Sequence, residues 1–157
     1  MFRCVSTVVL LMLALAAPAA VARDVRIASQ GPWAVDCGTE PPGDTWCQVG
    51  VSFESIHPAY GLQFNYVRDS RMFFAMGAPA PTLVRAHVDG QAPFSLERCL
   101  ARICLVKGEA AERLLQQMLA GKSLVVEFVG GPGMPPPFTV DLAGFAPMYR
   151  RALAGPK

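Results

Sequence analysis

The sequence predicts a mainly β protein, a single-domain antiparallel β-sandwich or barrel with one amphipathic helix. Three observations indicate this fold class. Several short segments alternate apolar and polar residues, turn-forming Gly, Pro and Asp residues separate those segments, and only one long stretch has helical spacing. With 157 residues, the chain is long enough to bury a substantial core. Many short strands between regular turns are typical of a sandwich or a barrel.

The first strand signals surround two cysteines. Residues 23–32 are predicted to form an N-terminal strand or arm that ends at a Gly-Pro step. The next two strands each have an apolar face with a period of two. The apolar faces consist of Trp33, Val35 and Cys37 on the first of these strands and of Cys47, Val49, Val51 and Phe53 on the second. A disulfide between these strands would therefore be part of the core.

Further strands follow along the chain, separated by Gly-, Pro- and Asp-containing turns. They are predicted at 60–66, 72–76, 83–88, 94–99, 122–129 and 138–142. Asn65 falls on the polar side of its strand, and Asp89-Gly90 is a strong hairpin signal. No internal repeat or second domain is apparent.

The helical stretch is predicted over about Glu109–Ala120. Its apolar residues follow helical spacing and are Ala110, Leu114, Leu115, Met118 and Leu119. Gly121 is placed just past the end of the helix. A short C-terminal helix from about Tyr149 is also compatible with the pattern.

The start of the chain predicts export. Residues 1–22 have a short basic start, an apolar run and small residues before Arg23, as a cleavable secretory signal has, so the domain is predicted at 23–157. The alternative is an uncleaved membrane anchor, because the apolar run approaches bilayer-spanning length. Pro18 and the alanines favour cleavage. Cys4 precedes the apolar run, which argues against a lipoprotein.

Charge and hydropathy narrow the classes of partner. The formal net charge of +2 gives no electrostatic case for nucleic acid or for an anionic membrane. No later apolar stretch is long enough to cross a bilayer. We therefore expect a periplasmic protein without stable membrane insertion after signal cleavage, with outer-membrane association or secretion as alternatives.

Four cysteines remain after the predicted cleavage, and an exported chain uses them as disulfides with three possible connectivities. The local pairing is the least demanding geometrically, so we predict Cys37–Cys47 and Cys99–Cys104. The Cys99-x4-Cys104 spacing is near that of some zinc ligands, but no further ligand stands at suitable spacing. A thiol–disulfide enzyme would need a Cys-x-x-Cys motif, which this chain lacks.

The order of these motifs resembles a known family. Trp33-x-x-x-Cys37, a second cysteine ten residues later and a Val-Asp-Gly-(x)3-Phe segment before Cys99-x4-Cys104 are similar to the invasion-associated locus B family. The amphipathic helix, the Ala-Gly-Lys-Ser-Leu-Val-Val-Glu-Phe strand and the closing Phe-Thr-Val-Asp-Leu-Ala-Gly-Phe extend the resemblance over 31–152. It implies an exported envelope β-protein of Gram-negative bacteria, linked in some pathogens to host-cell entry. It implies no catalytic residues.

Motifs for catalysis or metal binding are not found in the sequence. The two histidines, His57 and His87, have no Gly-x-Ser-x-Gly nucleophile motif to work with. Asp36, Glu40 and Asp44 flank a cysteine loop, but they lack the spacing of a calcium-binding loop. We therefore predict a protein that is not an enzyme and that uses no cofactor or metal.

Two features suggest binding. The loop 130–137 is predicted to be exposed and partly extended as polyproline II, which loses little entropy on docking. Its candidate contact residues are Pro132, Met134, Pro135, Pro136 and Pro137. The simpler interpretation is that this loop only joins two strands.

The second feature is a set of aromatic residues that we expect mostly in the core, with a few lining a groove for an apolar or protein ligand. They are Trp46, Tyr60, Phe64, Tyr66, Phe73 and Phe74. The leading hypothesis is thus an exported, non-enzymatic protein that acts by contact with an envelope or host protein. The alternative is a periplasmic carrier of a small apolar ligand.

Overall fold

The structure is a computed structural model, and it describes residues 25–40, 43–53, 61–77 and 80–156. These ranges contain eleven strands and two helices. The strands are β1 Val25–Gln30, β2 Trp33–Glu40, β3 Asp44–Ser52, β4 Gln63–Val67, β5 Met72–Met76, β6 Leu83–Val88, β7 Phe94–Leu96, β8 Arg98–Leu100, β9 Ile103–Val106, β10 Ser123–Val129 and β11 Phe138–Asp141. The helices are α1 Glu109–Ala120 and α2 Phe145–Ala154.

The strands form two antiparallel sheets that pack together. The larger sheet has seven strands in the order β1-β2-β3-β4-β5-β9-β8, and the smaller has four in the order β11-β10-β6-β7. The predicted mainly β fold is confirmed, and of the two alternatives the sandwich is present, since the described strands form no closed barrel. The two sheets enclose most of the core.

Aromatic contacts join the inner faces of the two sheets. Phe53 stacks on Phe138 with ring centroids 4.4 Å apart and meets Phe128 edge-on at 6.4 Å. The indole Nε1 of Trp33 donates a hydrogen bond to the carbonyl oxygen of Asp141 over 2.7 Å. The predicted inner face of β2 and β3 is confirmed, because its members are buried.

Helix α2 packs on the inner face of the large sheet beside the small sheet. Phe145 contacts Trp33 edge-on with ring centroids 4.9 Å apart. The helix begins at Phe145, four residues before the predicted start near Tyr149. Pro147 looks like a helix breaker in the sequence, but a proline is tolerated in the first turn, where its missing N–H has no partner to lose.

Helix α1 has the predicted bounds, Glu109–Ala120. It buries Leu114, Leu115 and Met118, and it contacts β5, β6 and α2. Gly121 follows it with φ −84°, so the glycine is not required by a left-handed turn. A Cβ at residue 121 would instead overlap with Val88, which explains the glycine by close packing.

The predicted strand at 94–99 is wrong in one respect, because it is two strands in different sheets. Phe94–Leu96 pairs with β6 in the small sheet, whereas Arg98–Leu100 pairs with β9 in the large one. The buried Leu96 and the partly buried Cys99 are three residues apart, so they do not fit one strand with a period of two. The chain therefore crosses between the sheets at Glu97.

Candidate functional site

The outer face of the large sheet, opposite the core, carries the candidate site. Directly paired residues of neighbouring strands share a face, so the strand register identifies the side chains that lie there. One row across the strands consists of Ala34, Gly50, Asn65, Phe74, Leu105 and Arg98. The next row consists of Ser52, Gln63, Met76, Ile103 and Leu100. The face is polar over β2–β4 and apolar over β5, β9 and β8.

The apolar half, which we call the apolar outer patch, is contiguous. It consists of Met72, Phe74, Met76, Leu100, Ile103 and Leu105. Leu100 is 82% exposed and Ile103 is 40% exposed, while the other members are half-buried. In the described part of the chain, α2 packs against the inner face of β1–β3 and α1 packs towards β6 and α2, so neither helix covers the patch.

The most exposed part of the patch is the β8–β9 hairpin. Leu100 pairs with Ile103 across a turn formed by Ala101 and Arg102. Ala101 has φ +53°, a left-handed conformation that costs free energy for any residue except glycine. Arg102 Nε donates to the carbonyl oxygen of Gly77 over 3.0 Å, which ties the turn to the end of β5.

A disulfide braces the same hairpin from the inner side. The structure contains the two local disulfides, Cys37–Cys47 and Cys99–Cys104, which close loops of sequence separation 10 and 5. The second lies next to the pair Leu100 and Ile103 in the strand register. The exposed apolar side chains are thus held by a covalent link and by the Arg102 hydrogen bond, and such preorganisation lowers the entropy cost of binding.

The polar half of the face has a different character. Arg26 and Asp36 form an ion pair with Nε–Oδ1 at 3.0 Å. Asn65 lies on this face, as its alternation indicated, yet it is only 5% exposed. The reason for this burial is Gly50 on the neighbouring strand. A Cβ at residue 50 would overlap with the Asn65 carboxamide, which lies over the bare glycine backbone.

The loop 130–137 does not match the exposed segment that was expected. Pro132, Pro136 and Pro137 are exposed, as predicted. Pro135 is buried, and Met134 is partly buried against the core, so the prediction of exposed contact residues is wrong for these two. The physical reason lies partly at Gly130, where the absence of a side chain leaves room for the end of Met134.

Of the two histidines, the structure describes His87. His87 lies on β6 on the outer side of the small sheet, directly opposite Val125. Its Nδ1 is buried and has no hydrogen-bond partner among the residues that the structure describes. The nearest ion pair on that face, Arg85 with Glu127 at 3.2 Å, is one row away. His57 lies outside the described residues.

Among the candidate calcium ligands, Asp36 lies four residues along the hairpin from the register pair of Glu40 and Asp44. Asp36 is paired with Arg26, and Asp44 lies at the exposed start of β3. The side chain of Glu40 lies outside the described part of the structure. Among the described residues, no group of three or more His, Cys, Asp or Glu side chains is placed to hold a metal ion.

The aromatic residues divide between the two faces of the large sheet. Phe64, Tyr66 and Phe73 lie in the core, as expected, whereas Phe74 lies in the apolar outer patch. Burial and the neighbouring Tyr149 raise the pKa of Tyr66 to about 12. Trp46 is partly buried with its ring over Gly38, and Tyr60 lies outside the described residues.

The chain matches the model of a known protein family. A family model described as Invasion associated locus B (IalB) protein matches residues 33–152. The chain belongs to the invasion associated locus B family. The matched region begins at β2 and includes both disulfides and all of α1, while β1 precedes it. Members of this family are generally exported and associated with the cell envelope. No solved structure matches the chain.

In the ranges that the structure describes, no helix is both long and apolar enough to cross a bilayer.

Proposed function

We propose that this invasion associated locus B protein is an exported, non-enzymatic binding module that contacts a protein partner of the envelope or of a host cell through the apolar outer patch. The observation that carries the proposal is the exposure of Leu100 and Ile103 on a braced hairpin, next to half-buried Phe74 and Leu105. Contiguous apolar surface of this kind marks interaction sites in soluble proteins.

The composition around the patch also favours a protein partner. Arg98 lies in the same row as Phe74 and Leu105, and Arg102 lies in the turn next to Leu100. Protein interfaces combine an apolar centre with a polar rim, and they are enriched in Phe, Met and Arg. Met72 and Met76 add flexible apolar side chains that adapt to a partner surface.

The absence of catalytic geometry in the described residues supports a role without chemistry. A catalytic histidine needs a partner that orients its ring and a nucleophile or water within hydrogen-bond reach. The buried Nδ1 of His87 has no hydrogen-bond partner among the described residues that would orient the ring. We place the protein in the periplasm, with outer-membrane association or secretion as the other destinations that family membership allows.

The test is a double variant, Leu100→Ser with Ile103→Ser, in cells treated with a crosslinker before lysis. The matched control is Leu153→Ser, because Leu153 is 51% exposed on α2 and lies outside the patch. We expect the patch variant to lose a discrete crosslinked species that the wild type and the control both form. If all three proteins form the same species in equal amounts, the patch is not the contact surface.

A further inference from the structure

A second candidate site is a cleft of about 320 Å³ between the two helices and the turn that joins β4 to β5. It is lined by Tyr66, Arg68, Arg71, Glu112, Tyr149 and Leu153. Tyr66 is buried on the core side of the large sheet, whereas the apolar outer patch lies on the opposite side of that sheet. The evidence for the cleft is therefore independent of the evidence for the patch.

A pair of tyrosines forms one wall of the cleft. Tyr66 and Tyr149 meet edge-on with ring centroids 5.7 Å apart, and Tyr149 is the partly exposed member of the pair. Burial raises the pKa of Tyr66 most, while Glu112 raises it further and Arg71 lowers it. Both charged side chains therefore lie close enough to act on the same hydroxyl group.

These two side chains of opposite charge have no ionic partner among the described residues. The ion pairs of the described ranges include neither Arg71 nor Glu112, so the two side chains do not pair with each other. The carboxylate of Glu112 accepts a hydrogen bond from the uncharged Gln116, whose Nε2 is 3.0 Å from Oε1. Because Arg71 and Glu112 are both exposed, a ligand in the cleft can reach them.

Arg68, the remaining charged residue at the cleft, is already occupied. Its Nη2 is 2.7 Å from Oδ1 of Asp69, and its Nη1 donates to the carbonyl oxygen of Ala152 over 3.1 Å. Among the described lining residues, the cleft therefore presents one uncompensated cation, Arg71, and one uncompensated carboxylate, Glu112.

The backbone at Arg71 adds a second reason to look for a ligand. Arg71 has φ +46°, a left-handed conformation that favours glycine and costs free energy for any other residue. The Arg71 side chain makes no hydrogen bond or ion pair with a described residue that would offset this cost. We therefore expect the arginine to act on a group outside the chain.

The paired charges select the class of ligand. A simple anion would be repelled by Glu112, and a simple cation would be repelled by Arg71. A neutral ligand would remove water from both charges without replacing it by a charged partner, which costs free energy. A molecule that carries one carboxylate and one ammonium group avoids all three penalties.

We propose that this cleft binds a small zwitterion, a free amino acid or a dipeptide, whose carboxylate pairs with Arg71 and whose ammonium group pairs with Glu112. The guanidinium group suits a carboxylate because it donates two parallel hydrogen bonds to it. Tyr149 supplies a partly exposed ring for the rest of the ligand. The volume of about 320 Å³ leaves room for a side chain on the zwitterion.

The test is isothermal titration calorimetry on the protein purified from the periplasm of an expression host. The probes are the common amino acids and the dipeptides alanyl-phenylalanine and phenylalanyl-alanine, each with its N-acetyl derivative and its carboxamide. We expect saturable binding of at least one zwitterion, and about tenfold or weaker binding of its two derivatives, because each derivative lacks one charge. The tighter of the two classes, amino acid or dipeptide, identifies the source of the zwitterion.

Two variants assign the charges. Glu112→Gln should bind the zwitterion about tenfold more weakly and should no longer distinguish it from the N-acetyl derivative. Arg71→Gln should likewise lose the distinction between the zwitterion and its carboxamide. Arg71→Gly should lose affinity in the same way while its melting temperature stays the same or rises, because glycine is favoured at this φ.

The matched controls are Glu109→Gln and Arg113→Gln, which change charges on the same helix outside the cleft. Glu109 lies in the first turn of α1, as Glu112 does, so it also controls for the charge at the helix terminus. Both controls should bind like the wild type. The proposal is overturned if no zwitterion binds saturably, if the derivatives bind equally well, or if the controls lose as much affinity as the cleft variants. A lower melting temperature of Arg71→Gly with unchanged affinity would also overturn it, since Arg71 would then be a structural residue.

Discussion

The protein contains two disulfide hairpins with opposite surroundings. In the β2–β3 hairpin, Cys37 and Cys47 are 3% and 0% exposed, and both strands lie inside the large sheet. In the β8–β9 hairpin, Cys104 is fully buried, but β8 is the last strand of the sheet and Leu100 beside it is 82% exposed. One disulfide is therefore part of the core, whereas the other braces a hairpin at the surface.

We therefore expect the two disulfides to have different roles. The first stabilises the fold, and the second holds the exposed side chains of the β8–β9 hairpin in position. Loss of the first disulfide removes a link between two buried side chains of the core. Loss of the second frees a short hairpin whose outer side chains make few contacts.

The largest effect is expected for Cys37→Ala with Cys47→Ala. The closed loop alone contributes about 3 kcal/mol in the chain-entropy model, and loss of buried sulfur contacts raises the total to about 4 kcal/mol. Urea unfolding of the oxidised proteins measures this loss in the free energy of unfolding. A smaller loss than in the corresponding variant of the second hairpin would contradict the assignment of the first disulfide to the core.

A smaller effect is expected for Cys99→Ala with Cys104→Ala. The shorter loop contributes about 2 kcal/mol, and the fold should persist with an unchanged far-UV spectrum. Since the hairpin then loses its brace, recovery of a crosslinked partner should fall in this variant. Full recovery would show that the disulfide has no part in presenting the patch.

Substitutions between glycine and alanine in the two hairpin turns should change the free energy of unfolding in opposite directions. Gly43 has φ +136° and Ala101 has φ +53°, so both positions favour glycine. Gly43→Ala should destabilise the protein by about 1 kcal/mol, whereas Ala101→Gly should stabilise it by up to about 1 kcal/mol. Thermal unfolding compares the pair, and a stabilising Gly43→Ala would contradict the turn geometry.

The smallest effect on stability is expected for Leu100→Ser with Ile103→Ser. Both side chains lie largely outside the core, so the free energy of unfolding should change by less than about 1 kcal/mol. The control Leu153→Ser should also change the free energy of unfolding by less than about 1 kcal/mol. A loss comparable with that of the Cys37–Cys47 variant would show that the patch is part of the core and not a contact surface.

Much of the fold follows from local patterns. The alternation of Trp33, Val35 and Cys37 predicts that these side chains face the core, and helical spacing predicts α1 with its bounds. Both predictions succeed because each element packs against the core on one side, so its apolar residues recur with the period of the element. The family resemblance covers the same region that the family model matches.

The details of the site depend on neighbours that are distant in sequence. Asn65 is buried because residue 50, on the neighbouring strand, is a glycine. Phe74 lies on the outer face because the next residue on the same strand, Phe73, faces the core. The inner position of Met134 depends likewise on packing against the core at the end of a loop. Periodicity shows which residues share a face, but it does not show what covers that face.

Site-specific photocrosslinking in intact cells tests directly whether the β8–β9 hairpin is the contact surface. A photoreactive amino acid replaces Leu100 in one protein and Leu153 in another, and the crosslinked products are identified by mass spectrometry. We expect a discrete, reproducible partner crosslinked from position 100 and no such product from position 153. Equal products from both positions, or none from position 100, would contradict the assignment of the β8–β9 hairpin as the contact surface.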